Sequence, residues 1–336
     1  MLKAFGAEYA FGFSRRRILA ALAGATFVLA APAGFAEAPP LRVVASFSVL
    51  GDMVKEIGGE HVALTTIVGP NGDAHSFEPT PKDAKALAQA QVLVINGLNF
   101  EGWLPRLIQA SGFGGAQVVA SQGVALRHLS DAERGHEVLD NHAKEHTPAG
   151  AAHGAHDHGD VDPHAWQSLD NGMIYAQNIA EGLSLADPAR RAYYQARAQT
   201  YIGQMKKLDA EIRQAFEAIP KDRRKVITSH DAFGYFAQAY GIQFVSVTGF
   251  SSEAEPSAKD VAAIITRARK EHISGVFIEN TTNPKLVKQI ARETKAKVGG
   301  TLYSDALAPA DQPAATYLGM FSWNAGQLIY VLKPGA

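Results

Sequence analysis

From residue 41 onward, short apolar runs alternate with longer stretches in which apolar side chains recur every three or four positions. Leu41–Phe47 reads as a buried strand and Val49–Ile57 as a helix. Ala63–Val68, Val92–Asn96 and Gln117–Ala120 read as further strands, with helices over Lys82–Gln89 and Phe100–Ser111 between them. Strands and helices in this order predict a parallel sheet covered by helices on both faces. The same grammar returns later in the chain. Strands are predicted over Lys225–Thr228, Gln243–Val247, Gly275–Glu279 and Lys297–Leu302. Helices are predicted over Ala232–Tyr240, Ala258–His272, Pro284–Lys295 and about Ala314–Val331.

Two segments interrupt the alternation. Residues 128–163 are rich in His, Gly, Ala, Asp and Glu and carry no apolar period, which predicts a long flexible loop. Asp187-Pro188 has the form of a helix start, and Tyr201, Met205, Leu208, Ile212, Phe216 and Ile219 then lie on one helical face up to Pro220. A helix of about 30 residues rises about 45 Å, enough to run the length of a two-lobed molecule. The predicted organisation is an N-terminal α/β lobe over residues 37–186, a linking helix over 187–220 and a C-terminal α/β lobe over 221–336.

The first 36 residues do not belong to that fold. Arg15, Arg16 and Arg17 precede an apolar run from Ile18 to Ala31 and a small-residue stretch ending at Ala36, the order of an export signal. Ser14–Leu19 also resembles a twin-arginine signal, so the Sec and twin-arginine routes both remain open. With cleavage after Ala36 the mature chain is mildly acidic and is expected in the periplasm. A whole-chain net charge of -1 argues against a nucleic-acid binder, whose domain is usually distinctly basic. There is no cysteine, which excludes a disulfide, a thiolate metal site and a lipid-modified cysteine among these residues. No segment after the signal has about 18 consecutive apolar residues, so none is expected to span a membrane or serve as an anchor.

Four positions carry the candidate chemistry: His75, His164, His230 and Asp305. Three of them, His75, His230 and Asp305, follow the carboxyl end of a predicted strand, the edge at which open α/β sheets bind ligands. Two lie in each half of the chain, which places them together in a cleft between lobes. Three imidazoles and a carboxylate suit tetrahedral Zn²⁺, with Mn²⁺ also admitted by the carboxylate, whereas Ca²⁺ prefers oxygen alone. A closed set of four ligands leaves no position for a reactive water and favours binding over catalysis. The His-Glu-x-x-His motif of zinc hydrolases is missing. Taken singly, each of the four also fits a hydrogen-bonded or turn residue, and their spacing alone does not assemble them. Asp231, Glu279 and Ser304 are candidates for orienting the imidazoles, and each also fits a helix cap or an ion-pair partner.

The segments around these residues resemble the metal-binding solute-binding proteins of ABC importers, which carry zinc or manganese. Gly72–Asp83, with His75 before a Glu-Pro-Thr-Pro run, is similar to that family's first ligand loop. Asp162-Pro163-His164-Ala165-Trp166 is similar to the second, Thr228–Ala237 to the third, and Leu302–Leu307 with the closing helix to the fourth. The resemblance covers residues 41–332 and implies two lobes bridged by one rigid helix with the metal between them. It also implies an ABC permease and its ATPase as partners. The chain is expected to be a receptor rather than an enzyme, and a monomer. In this family a His at the third position goes more often with zinc and a Glu with manganese, so His230 points to zinc, with manganese as the alternative. Ala74 stands where some zinc members carry an acidic residue and offers no extra oxygen. His136, His142, His146, His153, His156 and His158 form a His-rich stretch of the kind found in zinc members. It suits weak secondary binding, acceptance of metal from a donor protein, or the reservoir of a periplasmic zinc buffer.

Overall fold

The computed structural model describes residues 38–129, 160–248 and 257–333. The segment expected to be an export signal, residues 1–36, and the six histidines from His136 to His158 lie outside the described residues. Two four-stranded parallel sheets are each flanked by helices. The first contains β1 (Leu41–Phe47), β2 (Val62–Val68), β3 (Val92–Ile95) and β4 (Ala116–Val119), in the order β2-β1-β3-β4. Helices α1 (Ser48–Gly58), α2 (Pro81–Ala88) and α3 (Leu104–Ser111) belong to this lobe. β1 and β3 are buried on almost every residue, as central strands covered on both faces must be.

The second sheet repeats the same order. Its strands β5 (Lys225–Thr228), β6 (Gln243–Ser246), β7 (Gly275–Glu279) and β8 (Lys297–Leu302) run β6-β5-β7-β8. Between them come α6 (Gly234–Tyr240), α7 (Ala258–Lys270) and α8 (Lys285–Thr294), and α9 (Tyr317–Leu332) closes the chain. Local signals agree with these starts: Thr80 and Ser257 open α2 and α7 with reciprocal capping boxes to Asp83 and Asp260.

The lobes are joined by α4 (Leu169–Ala186) and α5 (Arg191–Glu217). The long helix is 27 residues, about 40 Å. It starts after a 3₁₀ turn at Pro188–Arg190 rather than at Pro188 itself. It packs on α1 and α4 at one end and on α6 and α9 at the other. One continuous apolar core includes Val43, Trp166, Met205, Phe216, Phe236 and Phe321, so this helix buries side chains from both lobes in a single cluster. Bending it would expose that cluster to water at roughly 25 cal/mol per Å².

α4 was not expected from the sequence. Leu169, Gly172, Ala176, Ile179, Ala180 and Leu183 are buried along one side of it. Small residues at Gly172, Ala176 and Ala180 let neighbours approach closely: a Cβ on Gly172 would lie 2.4 Å from the Tyr317 hydroxyl. Of the segment expected to be a loop over 128–163, residues 128–129 and 160–163 are described. His128 pairs with Val161 in an antiparallel bridge, and Leu129 N donates to Asp160 O at 2.9 Å. Among the described residues no helix is long and apolar enough to cross a membrane.

Candidate metal centre

The carboxyl edges of the two sheets face each other. His75 lies in the loop between β2 and α2, His230 directly after β5, Asp305 after β8, and His164 just before the 3₁₀ turn that leads into α4. All four side chains are buried, and one donor atom from each lies within 4.8 Å of the others. His75 Nε2 is 3.2 Å from His164 Nε2 and 3.5 Å from Asp305 Oδ2. His164 Nε2 is 3.5 Å from Asp305 Oδ1, and His230 Nε2 is 2.8 Å from Asp305 Oδ2. A tetrahedral ion with bonds of about 2.0–2.2 Å needs donors about 3.3–3.6 Å apart. The His75–His164 separation lies just below that range, and His75 and His164 each lie within it of Asp305, though of different carboxylate oxygens. The fourth, His230 to Asp305, is a hydrogen-bond distance.

Each loop is held from behind. Asp73 accepts His75 N and Ser76 Oγ, both at 2.8 Å, and Trp103 Nε1 donates to Ala74 O at 2.8 Å. Asn96 Nδ2 donates to Pro163 O at 3.0 Å. Across the lobes, Trp166 Nε1 and Gln167 Nε2 both donate to Ser304 O, at 2.9 and 2.7 Å, which fixes the residue before Asp305. Ser304 therefore works through its backbone carbonyl.

Two imidazoles are oriented by buried carboxylates at the nitrogen that faces away from the cluster. Asp162 Oδ1 lies 2.8 Å from His164 Nδ1 and also accepts His164 N at 2.9 Å. Its other oxygen accepts Arg127 Nη1 at 2.9 Å. Glu279 Oε1 accepts the backbone N–H groups of Ser229 and His230, at 2.8 and 2.9 Å. Its Oε2 lies 2.7 Å from His230 Nδ1, a close charge contact off the line of a good hydrogen bond. Such carboxylate–histidine pairs leave Nε2 as the lone-pair donor. Of the three orienting candidates from the sequence, Glu279 takes that role, while Asp231 lies on the wall of an open groove with Arg127 and Arg224. Asp162 and Arg127 were missed. The signal for Asp162 was its place two residues before His164; Arg127 had none, because its role depends on the fold.

Phe100 and Trp166 wall the site, with ring centroids 4.7 Å from His75 and 5.3 Å from His164 respectively. In this dry setting burial pulls the His164 pKa down and favours the neutral ligand form. Burial also opposes charge on His230, but the Glu279 and Asp305 carboxylates outweigh it and push its pKa well above the usual histidine range. Burial likewise works against an ionised Asp305, yet His230 and His164 hold its pKa well below the usual carboxylate range. A divalent ion, the three carboxylates and Arg127 would leave the buried assembly formally neutral with its imidazoles uncharged.

Two lobes with matching parallel sheets, a rigid bridging helix and a buried His₃Asp cluster at the facing sheet edges define a metal-binding receptor component of an ABC importer. The chain belongs to the family described as zinc-uptake complex component A, periplasmic (ZnuA), whose pattern it matches over residues 43–330. It is 28% identical over 290 residues to the manganese ABC transporter substrate-binding lipoprotein PsaA of Streptococcus pneumoniae, covering 84% of this chain and 86% of that protein. It is 28% identical over 297 residues to the iron ABC transporter substrate-binding lipoprotein MtsA of Streptococcus pyogenes serotype M1, covering 87% and 89%. The solved periplasmic zinc-binding protein TroA from Treponema pallidum superposes with a TM-score of 0.76 at 26% identity, over 88% of this chain and all of that one. A Mn-bound periplasmic metal-binding protein from Candidatus Liberibacter asiaticus superposes with a TM-score of 0.73 at 26% identity, covering 87% of this chain and 100% of that chain. Members of this class serve transport, with a permease and an ATPase as partners, and are not enzymes. The named lipoproteins lend no support to the expectation of an unanchored protein, which rests only on the lack of cysteine in these residues.

Proposed function

We propose that this protein is a periplasmic zinc receptor in which His75, His164, His230 and Asp305 hold Zn²⁺ and deliver it to an ABC permease. The observation that carries the reading is the convergence of three imidazoles and one carboxylate, all buried, within 4.8 Å. Imidazole-rich four-donor sites suit zinc, and a filled tetrahedron leaves no open position for a bound water to react. Capture exchanges the ion's hydration water for these donors behind the Phe100–Trp166 wall. The functional division is residues 1–36 as a removed signal, 37–186 and 221–336 as lobes, and 187–220 as a spacer that limits opening. Release then proceeds by a local shift of a ligand-bearing segment on docking. The His-rich stretch from His136 to His158 is a secondary, weaker site. Deleting residues 136–158 should leave one tight site, whereas a zinc buffer would lose most of its capacity.

Manganese is the second reading, because a relative and a structural neighbour are named for it. Titration of the purified protein with Zn²⁺ and Mn²⁺, followed by competition between them, tests the choice. Zinc should win and His230→Ala should abolish tight binding. Undiminished affinity in that variant removes His230 from the ligand set, and retention of manganese against equal zinc overturns the metal assignment.

A further inference from the structure

The segment from Asn96 to Trp103 touches the backbone next to two of the three imidazoles: Asn96 donates to Pro163 O and Trp103 to Ala74 O. Its Phe100 ring packs edge-on against His75, with centroids 4.7 Å apart, and lies 6.0 Å from His164. The segment reaches Phe100 through three successive left-handed residues, Gly97, Leu98 and Asn99, at φ of 84°, 55° and 59°. Leu98 and Asn99 carry a Cβ that disfavours this conformation, so something must hold the turn.

Glu101 does so. Its carboxyl group is buried and accepts Asn96 N at 2.6 Å and Ser46 Oγ at 2.7 Å on Oε1, and Gly97 N at 3.2 Å on Oε2. Those donors come from the carboxyl ends of β1 and β3, the two central strands of the first sheet. The carboxylate therefore ties the strained turn to the rigid part of the lobe. Asn96 is fixed as well, since Tyr175 Oη donates to its Oδ1 at 2.6 Å and Ser121 Oγ to its carbonyl at 2.6 Å.

We propose that Glu101 is a positioning residue for metal capture: it clamps the left-handed turn so that Phe100, His75 and His164 stand in their binding arrangement before the ion arrives. Glu101 does not touch the ion. Its effect is preorganisation of the half of the site contributed by the first lobe, which removes an ordering cost from binding and slows dissociation. The Glu279–His230–Asp305 half is held separately.

This inference rests on the proposed metal site, so its test includes controls for that site. Wild type, His230→Ala, Glu101→Gln and Ser46→Ala, each as the full mature chain, are titrated with Zn²⁺ against a chelator, and dissociation is timed by chelator capture. In Glu101→Gln an amide N–H meets one of the donors that the carboxylate accepted, and the clamp opens. Zinc affinity should fall about 10- to 100-fold, mostly through faster dissociation. Ser46→Ala, which removes one of the three donors, should raise the dissociation rate about 3- to 10-fold. The Co²⁺-loaded Glu101→Gln protein should show altered d–d absorption, which a merely structural role would not produce. If wild type binds and His230→Ala does not, yet Glu101→Gln keeps wild-type affinity and dissociation within twofold, the inference is overturned and the metal site stands. If Glu101→Gln fails to fold, a Ser46→Ala dissociation rate within twofold of wild type overturns it. Failure of wild type to bind any Zn²⁺ overturns the site itself.

Discussion

Replacing Glu279 by Gln tests how far a residue that never touches the ion governs its capture. Glu279 is 1% exposed and sits at the end of β7. Its Oε1 accepts two backbone N–H groups, and its Oε2 faces His230 Nδ1 at 2.7 Å. A glutamine can keep only one of these arrangements. If its carbonyl stays on the two N–H groups, its amide N–H points at Nδ1. That nitrogen must then give up its proton and accept, which moves the ring proton to Nε2, the atom that faces the cluster. If the amide flips, an N–H meets two N–H donors. Each buried donor left without an acceptor costs about 1–3 kcal/mol, so the first arrangement wins. Zinc then has to displace a proton from Nε2 with no acceptor waiting on the far side of the ring. Loss of an orienting partner of this kind costs about 10- to 100-fold in affinity, or about 1.4–2.7 kcal/mol. Chelator competition with Zn²⁺ measures it, with circular dichroism and a melting curve of the metal-free form confirming the fold. A folded Glu279→Gln protein that binds zinc within threefold of wild type would refute the tautomer argument.

Metal capture should release protons. His230, raised well above the usual histidine range by Glu279 and Asp305 despite its burial, carries a proton in the metal-free protein at neutral pH. That proton leaves on binding, so affinity rises with pH, and calorimetry in buffers of different ionisation enthalpy should report about one proton per ion near pH 7. Asp52, partly buried on α1 and accepting Tyr317 N at 2.8 Å, has its pKa pushed up to about 6, mainly by burial. A carboxyl with a raised folded-state pKa binds its proton more tightly when folded, so stability falls as pH rises from about 4 to about 6. Asp52→Asn keeps the acceptor and should be more stable than wild type by about 1–3 kcal/mol at pH 7.5, a gain discounted for partial exposure and vanishing near pH 4 in urea melts. Gly172→Ala puts a Cβ 2.4 Å from the Tyr317 hydroxyl, which donates to Trp166 O at 2.6 Å in a fully buried setting. It should cost about 1–3 kcal/mol in thermal unfolding, and a neutral result would show that α4 can shift.

The sequence by itself determined most elements and the residues worth watching. β1, β5 and β7 lie where the apolar runs do, because a central parallel strand buried on both faces needs an apolar stretch. It also determined the composition of the candidate site, since imidazole and carboxylate chemistry belongs to residue type. α4 escaped notice although Leu169, Gly172, Ala176, Ile179 and Leu183 keep a helical period, because Gly172, Ala176 and Ala180 on that buried face carry little apolar contrast. What only the tertiary structure decided is which polar groups meet. Arg127 reaches Asp162 across 35 positions, and Glu101 reaches Ser46 across 55. Hydrogen bonds and ion pairs act over about 3 Å in space and are indifferent to distance along the chain, so no local pattern records them. The convergence of His75, His164, His230 and Asp305 is of that kind: each is ordinary in its own segment, and only the facing of two sheet edges makes them a single cluster.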